Sequence, residues 1–90
     1  MFTWDQAKRQ ENLRKHGIDF ADMPVLFDGF TLTAEDDRQA YGEQRFVTLG
    51  LLHGVVVAVV HTERRGALRI ISARKATRYE SHSFFRQVPD

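Results

Sequence analysis

The sequence predicts an α+β domain: two N-terminal helices, a three- to four-stranded antiparallel sheet and a C-terminal helix. Three observations carry this prediction. A charged, helix-compatible opening ends in Lys15-His16-Gly17, where cations suit the last turn and glycine suits the stop. Apolar runs then alternate with the dipeptides His53-Gly54 and Arg65-Gly66, which read as tight hairpin turns. The last run feeds a second helix-compatible stretch, Ala73 to Phe85, with Ser72 placed as its cap.

Taken in order, Thr3 or Asp5 caps a first helix over Asp5 to His16, with Trp4, Ala7, Leu13 and the stem of Lys8 toward the core. Ile18 and Phe20 pack beneath it. Asp19 caps a short second helix, Phe20 to Leu26, with Pro24 in the first turn. Asp28-Gly29 is a turn, and Phe30 to Thr33 alternates as a short strand. The acidic run Ala34 to Gly42 reads as a loop and as the most mobile part. Arg45 to Leu52 is the next strand. Val55 to Thr62 is almost wholly apolar, which marks a central strand covered on both faces. Ala67 to Ser72 is the last strand, and Gln87 to Asp90 a loose tail.

Ninety residues make one domain, 1–90. The chain has no cysteine, which excludes disulfides, thiolate zinc sites and thiol catalysis. Its N-terminus has no apolar signal region, and Val55 to Val60 is too short to span a bilayer. A soluble cytoplasmic protein without membrane contact is the expectation. No glycine-rich loop has phosphate-cradle spacing. The four histidines lie far apart and show no metal spacing. The acidic run lacks calcium-loop spacing. No metal and no cofactor is expected.

The formal net charge of +1 conceals an uneven distribution. Arg64 to Arg86 holds seven cations against one anion, Glu80, or +6; Asp28 to Glu43 holds five anions against one cation, Arg38, or −4. Within R-I-I-S-A-R-K-A-T-R-Y-E, Arg74 and Arg78 are four apart and would share a helical face. Arg64 and Arg69 would sit across the preceding hairpin. Arginine keeps its charge and offers a fork of donors that matches phosphate oxygens. The blander account is a solvated basic face with Arg69 paired to Glu63 or Glu43. It also makes Trp4 and Phe20 core residues, His61 a half-buried structural histidine, Lys15-His16 a helix-end device and the Glu43–Arg45 pair structural.

Five ordered blocks resemble the BrnT family of bacterial toxins: F-T-W-D-Q-A-K-R-Q-E-N-L-R-K-H-G-I-D-F at 2–20, V-L-F-D at 25–28, G-E-Q-R-F at 42–46, H-T-E-R at 61–64, and R-I-I-S-A-R-K-A-T-R-Y-E at 69–80. The resemblance implies a RelE-like ribonuclease fold and a metal-free cut in which the ribose 2′-OH attacks the adjacent phosphodiester. It also implies an antitoxin of BrnA type, with a ribbon-helix-helix domain, through which alone the toxin meets operator DNA. In this frame the catalytic candidates are Arg64, Arg69, Arg74, Arg78, Glu80 and His61. Glu80 serves as base or as orienter of an arginine, and His61 or Lys75 as acid. Lys15, Arg65 and Lys75 are the RNA-contacting candidates. Two departures stand out. His61 occupies a position that is aromatic in many relatives, and the chain diverges after Glu80.

Two further readings compete with the enzyme. The basic segment could hold nucleic acid or an acidic protein without cutting anything. A sheet edge could instead receive a partner's strand or helix. An acidic antitoxin segment laid over Arg64 to Arg86 is the corresponding expectation for neutralisation.

Overall fold

The computed structural model describes residues 1–89. In chain order the elements are β1 (Phe2–Trp4), α1 (Gln6–His16), a 3-10 turn (Phe20–Asp22), α2 (Met23–Asp28), β2 (Thr31–Glu35), β3 (Phe46–Leu52), β4 (Val55–Arg64), β5 (Ala67–Lys75) and α3 (Arg78–Gln87). The sheet has five strands in the order β1-β5-β4-β3-β2. The class is α+β, as the patterning predicts. The sheet is mixed, however, because β1 runs parallel to β5. Three residues are too few for a strand signal, so β1 was not expected. Phe2 and Trp4 are its only hint, at the two-residue period.

The register sorts side chains onto two faces. On the first, Val57 and Val59 of β4 and Ile70 and Ala73 of β5 meet Ile18, Phe20, Met23 and Leu26 in one core. Phe2 and Trp4 close it from β1, against Phe27 and Phe20. Gly50 lets α2 approach, since a Cβ there would stand 2.5 Å from the Leu26 side chain. On the second face, α3 buries Phe84 fully and packs it against Phe30. Val56 to Val59 are all buried, so β4 is indeed a central strand covered on both faces. The turns at His53-Gly54 and Arg65-Gly66 hold φ of 51° and 81°, and of 55° and 78°, the doubly left-handed pairing of a two-residue hairpin.

Helix α1 follows its caps. Asp5 accepts from the Lys8 N–H, and Gly17 closes the helix at φ 70°. Its core contribution differs from expectation: Ala7 and Leu13 are exposed, and the buried residue is Asn12. Asn12 Nδ2 donates to Ala73 O (2.9 Å) and to Ile18 O (3.0 Å), while its Oδ1 accepts from Ala73 N (3.0 Å). Strand β1 pairs with β5 only at residues 68–70. Beyond that point Asn12 stands in for the missing strand, satisfying backbone groups that would be costly to bury unpaired.

The largest correction concerns Ala73 to Phe85. Strand β5 continues through Lys75, and α3 begins at Arg78 under a Thr77 cap rather than a Ser72 cap. Ala73, Arg74 and Lys75 have good helix propensity, but Val59, Ala58 and Val57 pair with them and hold them extended. A better helix start was present in the sequence. Thr77-Arg78-Tyr79-Glu80 is a capping box, with Thr77 Oγ1 accepting from Glu80 N and Glu80 Oε1 accepting from Thr77 N.

The acidic loop, expected to be the most mobile part, is fastened. Asp36 is buried and accepts from Arg38 at 2.7 and 2.9 Å and from Tyr41 Oη at 3.2 Å. Its N–H donates to Arg45 O at 2.8 Å. The Arg45 guanidinium lies 4.1 Å from the Tyr41 ring centre and bonds Glu43 at 3.3 Å, and Thr62 Oγ1 donates to Gln44 O at 2.5 Å.

Candidate nucleic-acid interface

Arginines 69 and 74 are five positions apart on β5, which in an unbroken strand would place them on opposite faces. A β-bulge resolves this. Val60 pairs with Ser72 and His61 with Ile70, so Ile71 is the extra residue. The same bulge lets Ile70 and Ala73 both reach the core. It puts Arg69 and Arg74 together on the second face, roughly 15 Å apart along the strand at about 3.3 Å per residue. Arg64 of β4 joins Arg69 there as a diagonal neighbour, because Arg69 lies opposite Thr62.

Arg74 is the best-held of these cations. Its Nη1 and Nη2 donate to Glu80 Oε1 and Oε2 at 2.7 and 3.1 Å. The same Glu80 closes the capping box, so one carboxylate ties the end of β5 to the first turn of α3. With Arg74 and the Thr77 amide both donating to it, the Glu80 carboxyl is pulled down to about 2. Arg38 lines the same groove as Arg74, about 520 Å³ in volume, and is held in the same manner by Asp36. Hydrogen bonds from Arg38 set the Asp36 carboxyl at about 2.

These two carboxylates make a pH prediction. Both ionise more readily in the folded state than their ordinary values of 4.5 and 3.8. The stability they contribute is therefore complete above about pH 5 and is lost as pH falls toward 2. Glu80→Gln should weaken this acid sensitivity. The measurement is a circular-dichroism acid titration of both proteins.

The remaining expected site residues are scattered. Arg64 is exposed and bonds Glu43 at 3.3 Å. None of the ion pairs among the described residues includes Arg69, so its expected pairing with Glu63 or Glu43 is not formed. Arg65 is the exposed corner of a turn and Arg78 the exposed first residue of α3. Arg74 and Arg78 share no helical face, since Arg74 is in a strand. Lys75, opposite Val57, points to the first face at the strand's exposed end. Lys15 stands on α1, behind the sheet. The +6 segment is thus not one surface.

His61 is displaced most from its expected role. It is buried on the first face, between the Phe27 and Phe46 rings at 5.5 and 5.8 Å. Its Nε2 bonds Thr48 Oγ1 at 2.7 Å, and its Nδ1 has no partner among the described residues. Burial lowers its proton affinity. Arg38 and Asp36 carry no separate signal in the sequence, because they lie inside an acidic run that reads as a loop. Among the described residues, no group of three or more His, Asp or Glu side chains is placed to hold a metal ion. No helix is long and apolar enough to cross a membrane.

The fold and the geometry define a small α+β domain in which Arg74 and Arg38 are each held by a carboxylate beside one groove. Comparison with known families narrows this. Residues 4–80 match the family described as the ribonuclease toxin BrnT of type II toxin–antitoxin systems, and the chain belongs to that family. No curated protein matches it.

Proposed function

We propose that this protein is a toxin that cleaves RNA without a metal, through attack of a ribose 2′-OH on the adjacent phosphodiester. In this reading it slows translation and growth in the cytoplasm, and a BrnA-like ribbon-helix-helix antitoxin restrains it and mediates any contact with operator DNA. The observation that carries the reading is the arrangement of Arg74, held bidentately by Glu80, on one strand face with Arg69 and Arg64. A donor that is already oriented stabilises charge growing on the phosphate without having to reorganise as it grows. The RNA backbone runs along β5 from Arg69 to Arg74.

Glu80 acts here as the positioning residue for Arg74. A carboxylate with so little affinity for a proton is a weak general base near neutral pH. His61 is too enclosed, and on the wrong face, to give a proton to the leaving 5′-oxygen. It serves as a structural residue of the core.

The test uses the purified free protein and an end-labelled RNA, with EDTA present throughout. Cleavage should persist, and the fragments should carry a 2′,3′-cyclic phosphate. Loss of activity in EDTA with recovery in magnesium would overturn the metal-free route. Fragments with a plain 3′-hydroxyl would overturn 2′-OH attack. A protein that binds RNA but never cuts it would instead be a basic binding module.

A further inference from the structure

We propose that the groove beside α3 seats an extended segment of the antitoxin, which adds to the free edge of β2, lays apolar side chains over Leu32 and Ala34, and brings a lysine or arginine to Asp37. This rests on the toxin–antitoxin membership and not on the RNA chemistry. Three observations converge on it. First, β2 is the last strand of the sheet, and its outer edge has no ladder partner among the described residues. Such an edge presents unpaired N–H and C=O groups to any strand that can reach it.

Second, the side chains beside that edge are apolar. Leu32 and Ala34 of β2, with Val47 and Leu49 of β3, line the groove of about 520 Å³. Leu32, Val47 and Leu49 are only partly buried, and Ala34 is exposed. A strand paired with β2 would place every second side chain about 5 Å from Leu32 and Ala34. Backbone bonds would then supply affinity and the alternate side chains specificity.

Third, the charge at the β2 end of the groove favours a cationic side chain. The groove's two cations are already engaged, Arg38 by Asp36 and Arg74 by Glu80. Asp37 also lines it, is exposed, and is in no ion pair among the described residues, whereas Glu35 pairs with Phe46 and turns its side chain to the other face. Two cations against the carboxylates of Asp36, Asp37 and Glu80 leave the groove at −1. A lysine or arginine is attracted to the free Asp37 carboxylate there. RNA therefore suits the β4–β5 half of this face and a protein the β2–β3 half. The acidic antitoxin segment expected over Arg64 to Arg86 has no single basic surface to cover.

The experiment takes the purified toxin with a purified BrnA-like antitoxin as the probe. Two variants are compared with wild type, Ala34→Lys and Asp37→Lys, after circular dichroism has shown both to be folded. Each should weaken antitoxin binding at least tenfold while leaving RNA cleavage by free toxin unchanged. Hydrogen exchange should show new protection in the complex at those amides of Thr31 to Glu35 that lie outside the β2–β3 ladder. The proposal is overturned if both variants bind within twofold of wild type. It is also overturned if those amides exchange as in the free protein, which would indicate a helix or a different seat, or if the variants alter RNA cleavage. If wild-type toxin fails to cut RNA, the ribonuclease reading fails, yet the binding and exchange results still decide this one.

Discussion

Arg74→Ala should reduce RNA cleavage by the free protein about a hundredfold and abolish growth inhibition on expression, with the fold intact. Removing one donor aimed at a developing oxyanion costs on the order of 3 kcal/mol. The fold should survive because Arg74 is part-exposed, its side chain 33% accessible, and Glu80 keeps its Thr77 partner. Arg74→Lys should recover little, since an ammonium cannot make the paired bonds at 2.7 and 3.1 Å that orient the guanidinium. Glu80→Gln supplies the contrast. It leaves Arg74 charged but loosely held, so cleavage should fall less than in Arg74→Ala. If Arg74→Ala cut RNA as fast as wild type while folded, the site would lie elsewhere on the sheet.

Asn12→Ala should lower stability by about 3 kcal/mol. Truncation leaves the Ala73 N–H and C=O and the Ile18 C=O without a partner at a buried edge, and each buried orphan costs about 1–3 kcal/mol. That is a large share of the roughly 5–15 kcal/mol that holds a small domain together, and it corresponds to a drop in Tm of about 15 °C. Asn12→Asp should be at least as harmful, because it removes the Nδ2 donor and buries a charge. Thermal unfolding of the three proteins checks this, and a Tm within about 3 °C of wild type for Asn12→Ala would refute it. The two effects separate cleanly. Arg74 governs what the surface does, and Asn12 governs whether β5 is held in place to do it.

Local signals announced much of this architecture. Gly17 after Lys15-His16 ended α1 where cap chemistry requires it. Asp19, expected to cap a short helix from Phe20, caps the 3-10 turn that begins there. The two hairpins were legible because each has a glycine available for positive φ between strand-like runs. The unbroken apolar stretch from Val55 identified the central strand. Motif order identified the family, since five blocks in sequence constrain far more than one block does. The α+β class followed from these signals alone, because each depends on residues close together in the chain.

The placement of the arginines was decided by tertiary structure. The segment from Ala73 to Lys75 has the composition of a helix, and only its pairing with Val57 to Val59 holds it extended. A bulge at Ile71, invisible in composition, puts Arg69 and Arg74 on one face instead of two. The acidic loop is cinched by Asp36 because Arg38, Tyr41 and the Arg45 backbone converge on it. Asn12 reads as an ordinary polar helix residue until β1 proves too short to cover Ala73. His61 becomes a core residue because its strand face is the one that α2 covers. Each of these outcomes depends on contacts between residues far apart in the chain. Such contacts set burial, partner and direction, and composition alone carries none of the three.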